Sequence, residues 1–111
     1  MKLDSEHLML AIHLSRLPVN KDKSAREISE SIVSIARTAR ALHRLYEHAC
    51  NRELSPNEKK RTKLHETRVR TCATWLGGIP VIFNGDPRGA PVRLVLPTGE
   101  TNDFGGEGWV V

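Results

Sequence analysis

The chain has 111 residues and a formal net charge of +4, with 39% hydrophobic and 27% charged residues. This length fits one domain, residues 1–111, and this composition is that of a globular protein rather than a disordered or fibrous one. The apolar runs are too short for a membrane span, which needs roughly 20 residues, and the first residues lack a secretory pattern. We therefore expect a cytoplasmic protein with no membrane partner.

The first predicted segment, residues 1–23, is an N-terminal helix followed by a polar link. The helix is predicted over residues 3–17, with Asp4 or Ser5 as its cap and Pro18 after its end. Apolar side chains surround most of this helix, so we expect it to bury more than one face. Aromatic residues make up only 5% of the chain. A core of mainly aliphatic residues is thus expected, and a homo-oligomer would add buried area.

The second segment, residues 24–78, is predicted to be a long antiparallel helix hairpin. Its first helix starts at Ser24 and carries a heptad seam: Ile28, Ile32, Ile35, Ala39, Leu42, Tyr46 and Ala49. Such a seam fits either an intramolecular hairpin or a coiled-coil dimer. We favour the hairpin because a second helix follows at once.

The second helix has a clear start and stop. Ser55, Pro56 and Glu58 form a capping box with proline at the first helical position, and Gly77-Gly78 ends the helix. Its apolar stripe is predicted to comprise Leu64, Val69, Cys72, Ala73 and Leu76.

The third segment, residues 79–111, is predicted to be a β-hairpin with polar loops. Strands are predicted over residues 79–83 and 91–96, with Arg93 on the face opposite Val92 and Leu94. Trp109-Val110-Val111 is a candidate third strand. The predicted fold class is α+β, in which N-terminal helices pack on an antiparallel β-hairpin or three-stranded sheet.

The cysteines and histidines give little support for a disulfide or a metal. Cys50 lies beside the hairpin loop, whereas Cys72 lies about 24 Å along the second helix, too far for a bond. We expect two reduced, buried thiols. Among the histidines, only His43, together with Glu47 and His65, is placed so that the side chains could bind one metal ion. We therefore expect neither a metal site nor a cofactor.

Positive charge is concentrated in residues 52–70, which hold seven basic and three acidic residues. We define the basic face as the predicted target-binding residues Arg52, Lys59, Lys60, Arg61, Lys63 and Arg68. Arg37, Arg40 and Arg44 of the preceding helix could extend it. The charge pattern fits contact with a phosphate backbone. It also fits a solvated face with pairs to Glu47, Glu58 and Glu66.

Polar loops in the third segment form a second candidate site. The predicted ligand or specificity residues are Asp86, Arg88, Asn102, Asp103, Phe104 and Trp109. Arg88 could grip a phosphate or carboxylate with two hydrogen bonds. Alternatively, Arg88 pairs with Asp86 or Asp103 and braces the loops. No nucleophile–base set is identifiable, so we assign no catalytic residue and expect no enzyme.

Three stretches carry a resemblance: HRLYEHACNREL from His43, GDPRG from Gly85 and LPTGETNDFG from Leu96. In these stretches the chain resembles small proteins encoded by tailed phages and prophages of Gram-negative bacteria. The resemblance implies a phage-borne accessory protein that binds and blocks a host defence component. The leading hypothesis is therefore a non-enzymatic, anti-CRISPR-like inhibitor of a host defence protein or nucleoprotein complex.

Two other functions stay open. One is an oligomeric sponge for a nucleotide immune signal, in which Arg88, Asn102 and Asp103 line a pocket and Phe104 or Trp109 stacks on a base. The other is a nucleic-acid-binding regulator, which would show a steep salt dependence of binding.

Overall fold

The computed structural model describes residues 5–105 of the chain. The elements are α1 (Ser5–Ser15), a 3-10 turn (Pro18–Asn20), α2 (Ala25–Asn51), α3 (Pro56–Trp75), β1 (Val81–Phe83), β2 (Val92–Val95) and β3 (Thr101–Phe104). The three strands form one antiparallel sheet in the order β1-β2-β3. The α+β prediction is confirmed, in its three-stranded version.

Helices α2 and α3 both begin with a capping box. The Ser55 hydroxyl accepts from the Glu58 amide, and the Glu58 carboxylate accepts from the Ser55 amide, as predicted. Ser24 and Glu27 make the same reciprocal pair at the start of α2. Both helix starts are therefore set by local side-chain bonds to otherwise unpaired amides.

The hairpin of α2 and α3 is confirmed, with two corrections to its seam. The seam from Ile28 to Leu42 is fully buried. Ala49, in the last turn of α2, is exposed. Leu64 is 56% exposed. It lies five residues before the buried Val69, a spacing that turns it off the inward face of α3. Tyr46 ties the two helices together by donating to the Glu66 carboxylate at 2.8 Å.

Helix α1 buries one face only, so the prediction of more than one buried face is wrong. Its inward residues Leu10 and Leu14 join the core, whereas Leu8, Met9 and Ile12 are 45–64% exposed. The helix lies at the edge of the hairpin and contacts α2 and β3. A helix in that position has partners on one side only.

A buried asparagine joins the ends of α1 and α3. The Asn20 side-chain amide donates to the carbonyl oxygens of Leu14 at 2.9 Å and Leu76 at 2.8 Å. Its oxygen accepts from the Lys23 ammonium at 2.8 Å. Lys23 also donates to the Trp75 carbonyl and lies 4.4 Å from the centre of the Trp75 ring. These bonds satisfy the helix-end carbonyls that lack partners within their own helices.

The sheet packs on the hairpin through alternate residues of β2 and β3. Val92 and Leu94 are buried and Arg93 points outward, as predicted. The third strand is β3, which the sequence analysis assigned to a polar loop. Its inward residues are Phe104 and Asn102. Because Asn102 is polar, the sequence of β3 lacks the alternation of apolar and polar residues that predicts a strand. The strand predicted over residues 109–111 lies outside the described residues.

Gly105 brings the end of the sheet onto α2. Its φ is +62°, and a Cβ atom there would lie 2.9 Å from the Ala39 carbonyl carbon. Only glycine tolerates both the left-handed backbone and such a close approach. The chain therefore passes directly against the middle of α2 after β3.

No helix within residues 5–105 is both long enough and apolar enough to cross a bilayer.

Candidate functional site

The basic face lies on the solvent-exposed side of the hairpin. Its six members are all exposed, as is Arg70, so the residues from the end of α2 to Arg70 of α3 present many cations to solvent. The capping box fixes where the cations of α3 begin, because it sets the first turn of α3. On α2, Arg37, Arg40 and Arg44 are also exposed, and Arg37 and Arg44 line cavities together with Arg68 and Arg61 of the basic face.

Two of the six are engaged in ion pairs. The Arg52 guanidinium donates to both carboxylate oxygens of Glu58, at 2.8 and 2.9 Å. This pairing holds the pKa of the Glu58 carboxyl well below its usual range and raises the pKa of Arg52. Lys59 lies 3.5 Å from the Glu53 carboxylate. Arg52 thus completes the cap of α3, rather than standing as a free target-binding cation.

The other four members have no such partner. Lys60, Arg61, Lys63 and Arg68 form no ion pair with any carboxylate in the part of the chain that the structure describes. Glu66 is used by the Tyr46 hydroxyl instead. The local pairs that a solvated face would be expected to form are therefore missing at these positions.

Two cavities follow one face of α2 on this side of the hairpin, the first bordered by Leu8 of α1 and Arg68 of α3 and the second by α3, and we describe them together as one groove. One stretch, of about 730 Å³, is lined by Leu8, Arg26, Ser29, Glu30, Val33, Ser34, Arg37, Thr38 and Arg68. A second stretch, of about 250 Å³, is lined by Ala41, Arg44, Leu45, His48, Glu58, Arg61 and His65. The lining residues of α2 recur every three or four positions through both stretches, which places both on one face of that helix.

His65 is the most perturbed histidine of the groove. Burial lowers its pKa, and the charges of Arg68 and Arg61 lower it further. Its Nδ1 atom is buried without a hydrogen-bond partner in the described structure. Burial and the two neighbouring guanidinium groups therefore both disfavour the protonated form of His65.

The GDPRG loop is braced by its own side chains. Asp86 accepts from the Arg88 amide at 3.0 Å and from its guanidinium at 3.0 and 3.1 Å. These bonds lower the pKa of Asp86 and raise that of Arg88. The His43 ring lies 2.8 Å from the Pro87 carbonyl oxygen and joins the loop to α2. The alternative in which Arg88 braces the loop therefore describes what is seen.

The remaining predicted loop residues do not form a pocket together. Phe104 is fully buried, stacked on the His7 ring at 4.3 Å, so it cannot stack on a ligand base. Asn102 is 8% exposed and faces the core. Asp103 accepts two hydrogen bonds from Arg93, at 2.7 and 3.2 Å. Trp109 lies outside the described residues. Asn102, Asp103 and Phe104 belong to β3 and not to a loop, and the pocket assignment was wrong for Asn102 and Phe104 because both face the core.

The cysteines are unpaired, and one expectation about them fails. Cys72 is half-buried, but Cys50 is exposed, at 3.8 Å from the Gly85 carbonyl oxygen. Among the histidines, His43 pairs with Glu47 at 3.6 Å, while His65 lines the groove with His48 instead. Within residues 5–105 no group of three or more histidine, cysteine or acidic side chains could hold a metal ion.

Sequence reasoning missed the way in which the arginines of α2 and α3 share one groove. Arg37 and Arg44 are seven residues apart, and so are Arg61 and Arg68. Seven residues are close to two helical turns, so each pair lies on one face of its helix. This repeated spacing was the available signal, but only the hairpin register brings the two pairs together.

No protein-family model, curated protein or solved structure was found to match this chain.

Proposed function

We propose that this protein is a non-enzymatic inhibitor that binds a host nucleoprotein complex through the basic face. The observation that carries the proposal is the row of exposed cations Lys60, Arg61, Lys63 and Arg68, which the described carboxylates leave unpaired. An uncompensated row of this kind attracts a polyanionic partner and accelerates its association.

The role of inhibitor rests on the resemblance to small phage and prophage proteins, because small phage accessory proteins often act by binding and blocking a host defence component. The three resembling stretches include the C-terminal part of α2, the GDPRG loop and β3. In the structure these form the brace that holds the loop and the sheet against α2, through His43 and Gly105. The resemblance therefore concerns the scaffold, and the basic face supplies the contact surface.

The nucleotide-sponge alternative receives less support. Its pocket was to be lined by Arg88, Asn102, Asp103 and Phe104. Of these, Arg88 and Asp103 are held in ion pairs, and the other two face the core. A separate cavity of about 410 Å³ is lined by Phe83 with Arg93 and Asp103, and Arg70 lies 4.8 Å from the Phe83 ring, but Arg88, Asn102 and Phe104 do not line that cavity.

The direct test is recovery of the tagged protein from phage-infected Gram-negative cells, followed by native mass spectrometry. We expect a co-purifying nucleoprotein complex. The double variant Lys60→Glu/Lys63→Glu should lose that complex, because both side chains are exposed on the basic face. The control Arg16→Glu/Lys21→Glu changes the net charge equally at exposed positions near the end of α1. Equal capture by both variants, or a bound small molecule in place of a complex, would contradict the proposal.

A further inference from the structure

Four arginines face one another across the groove between α2 and α3. Arg37 and Arg68 line the first stretch, and Arg44 and Arg61 line the second. Along each helix the two arginines are two turns apart, about 10.5 Å at 1.5 Å per residue. The antiparallel hairpin thus sets two cross-groove pairs, each with one arginine from each helix. We call this set the arginine groove.

The four guanidinium groups are uncommitted. None forms an ion pair with a carboxylate anywhere in residues 5–105. The two carboxylates that line the groove are held by other arginines: Glu30 pairs with Arg26 at 3.0 Å, and Glu58 pairs with Arg52. Four like charges along one groove repel one another, so an anion that enters between them relieves that repulsion and gains charge-assisted hydrogen bonds.

The floor of the groove suits a phosphate chain. Between the two arginine pairs the lining comprises the small side chains of Thr38 and Ala41 on α2, which allow close approach, and His65 on α3. The residues that line both stretches include no Phe, Tyr or Trp, and the rings among them are the imidazoles of His48 and His65 in the second stretch. An acidic protein helix would need a row of large apolar contacts, and this floor does not offer one between the pairs. The contacts available are to phosphates.

The width of the groove limits the form of the nucleic acid. The axes of two packed helices lie about 8–10 Å apart. A surface groove between helices at this spacing is narrower than a nucleic-acid duplex, which favours a single strand as the occupant. We infer that the arginine groove binds the sugar-phosphate backbone of a single-stranded nucleic acid without sequence preference. This inference rests on the proposed function, since it names the part of the nucleoprotein target that the inhibitor holds.

The test measures binding of the purified protein to a labelled oligothymidylate of about 16 nucleotides. Fluorescence anisotropy would be followed between about 50 and 200 mM salt. With four arginines on phosphates, the logarithm of the association constant should fall with the logarithm of salt with a slope of about −2.8. The variant Arg37→Gln/Arg44→Gln should reduce this slope to about −1.4 and weaken binding by about tenfold per arginine.

The matched control is Arg88→Gln/Arg93→Gln, which removes the same charge from arginines already paired with Asp86 and Asp103. We expect this control to leave the slope unchanged. Thermal unfolding of both variants confirms that each is folded. Equal losses in the two variants, absence of oligonucleotide binding, or equally tight binding of a duplex of the same length would overturn the inference.

Failure here is distinguishable from failure of the proposed function. If Arg37→Gln/Arg44→Gln captures the host complex as well as the unmodified protein does, the arginine groove is not the contact and the basic face remains. If that variant and Lys60→Glu/Lys63→Glu both capture the complex normally, the proposed function fails as well. Oligonucleotide binding by the arginine groove would then be a property of the isolated protein.

Discussion

The arginine groove and the outer face of the sheet contain the same kinds of charged residue in opposite situations. On the sheet side, Arg88 and Arg93 each grip a carboxylate with two side-chain hydrogen bonds. In the groove, Arg37, Arg44, Arg61 and Arg68 have no carboxylate partner within the described residues. A ligand anion at the sheet would have to displace an internal partner, whereas in the groove it would meet free donors.

This difference changes how the sequence should be weighed. The C-terminal loops have the greater chemical variety, with aspartate, asparagine, arginine and glycine close together. Their variety serves the loop itself, since Asn84, Asp86 and Arg88 bond to one another's backbone or side chains. The hairpin has a simpler pattern of repeated cations. Within the described residues, the arginines that line its groove have no carboxylate partner, so they are available to bind an anion. Three changes test this contrast, from the largest expected effect to the smallest.

Phe104→Ala should destabilise the protein by about 3–5 kcal/mol, the usual range for a buried aromatic residue. Phe104 is fully buried and stacks on His7, so its removal leaves a cavity between α1 and the sheet. The measurement is urea unfolding followed by circular dichroism. The control is Ile82→Ala, at a position 52% exposed on β1, which should change stability by less than about 0.5 kcal/mol. An unchanged urea midpoint for Phe104→Ala would contradict a role in the core and would again favour the hypothesis that Phe104 contacts a ligand.

Gly105→Ala should destabilise the fold by more than Gly99→Ala. Both positions have an unfavourable backbone conformation for alanine, but only at Gly105 would the added Cβ atom clash with a neighbouring helix. Both have positive φ, which costs about 1–2 kcal/mol for a residue with a Cβ. At Gly99 nothing lies within 4 Å of the added atom, whereas at Gly105 it meets the backbone of Ala39 and Arg40 at 2.9–3.0 Å. The difference in unfolding free energy between the two variants measures the packing of the sheet end on α2. Equal unfolding free energies for the two variants would show that the contact of Gly105 with α2 contributes little to stability.

The stability of the protein should fall as pH decreases from about 6.5 towards the lower folded-state pKa of His65. In that range the unfolded chain binds a proton at His65 and the folded protein does not, so stability rises with pH. Arg61→Gln/Arg68→Gln should raise the pKa of His65, because two neighbouring charges are removed. Proton NMR titration of the ring measures this pKa, with Lys60→Gln as the control. If the pKa of His65 stays unchanged in the double variant, the charges of Arg61 and Arg68 do not influence His65.

Much of the architecture was readable from short-range patterns. Both capping serines, the heptad seam from Ile28 to Leu42 and the glycine pair after α3 depend on neighbours within about seven residues. The alternation in β2 is equally local. Such features follow from helical and strand periodicity, which the chain carries wherever it folds.

Most of the errors share one cause, because they depend on what lies opposite in space. Asn102 and Phe104 were placed in a loop because a buried asparagine interrupts the apolar alternation of β3. Leu64 is an exception to this cause: it was placed in the core because its residue type is apolar, although its spacing of five residues from the buried Val69 turns it off the inward face of α3. The single buried face of α1 reflects its edge position, which its own residues do not encode.

The sequence by itself determined the α+β class, the hairpin, its caps and the concentration of positive charge, since these depend on local spacing and composition. Only the tertiary structure decided which charges are paired. Asp86 neutralises Arg88 within one loop, and Asp103 reaches Arg93 across two strands. Arg37 and Arg68 are 31 positions apart in the chain, yet they line one groove. Electrostatic partnering acts over ångströms in space, and distance along the chain does not fix it.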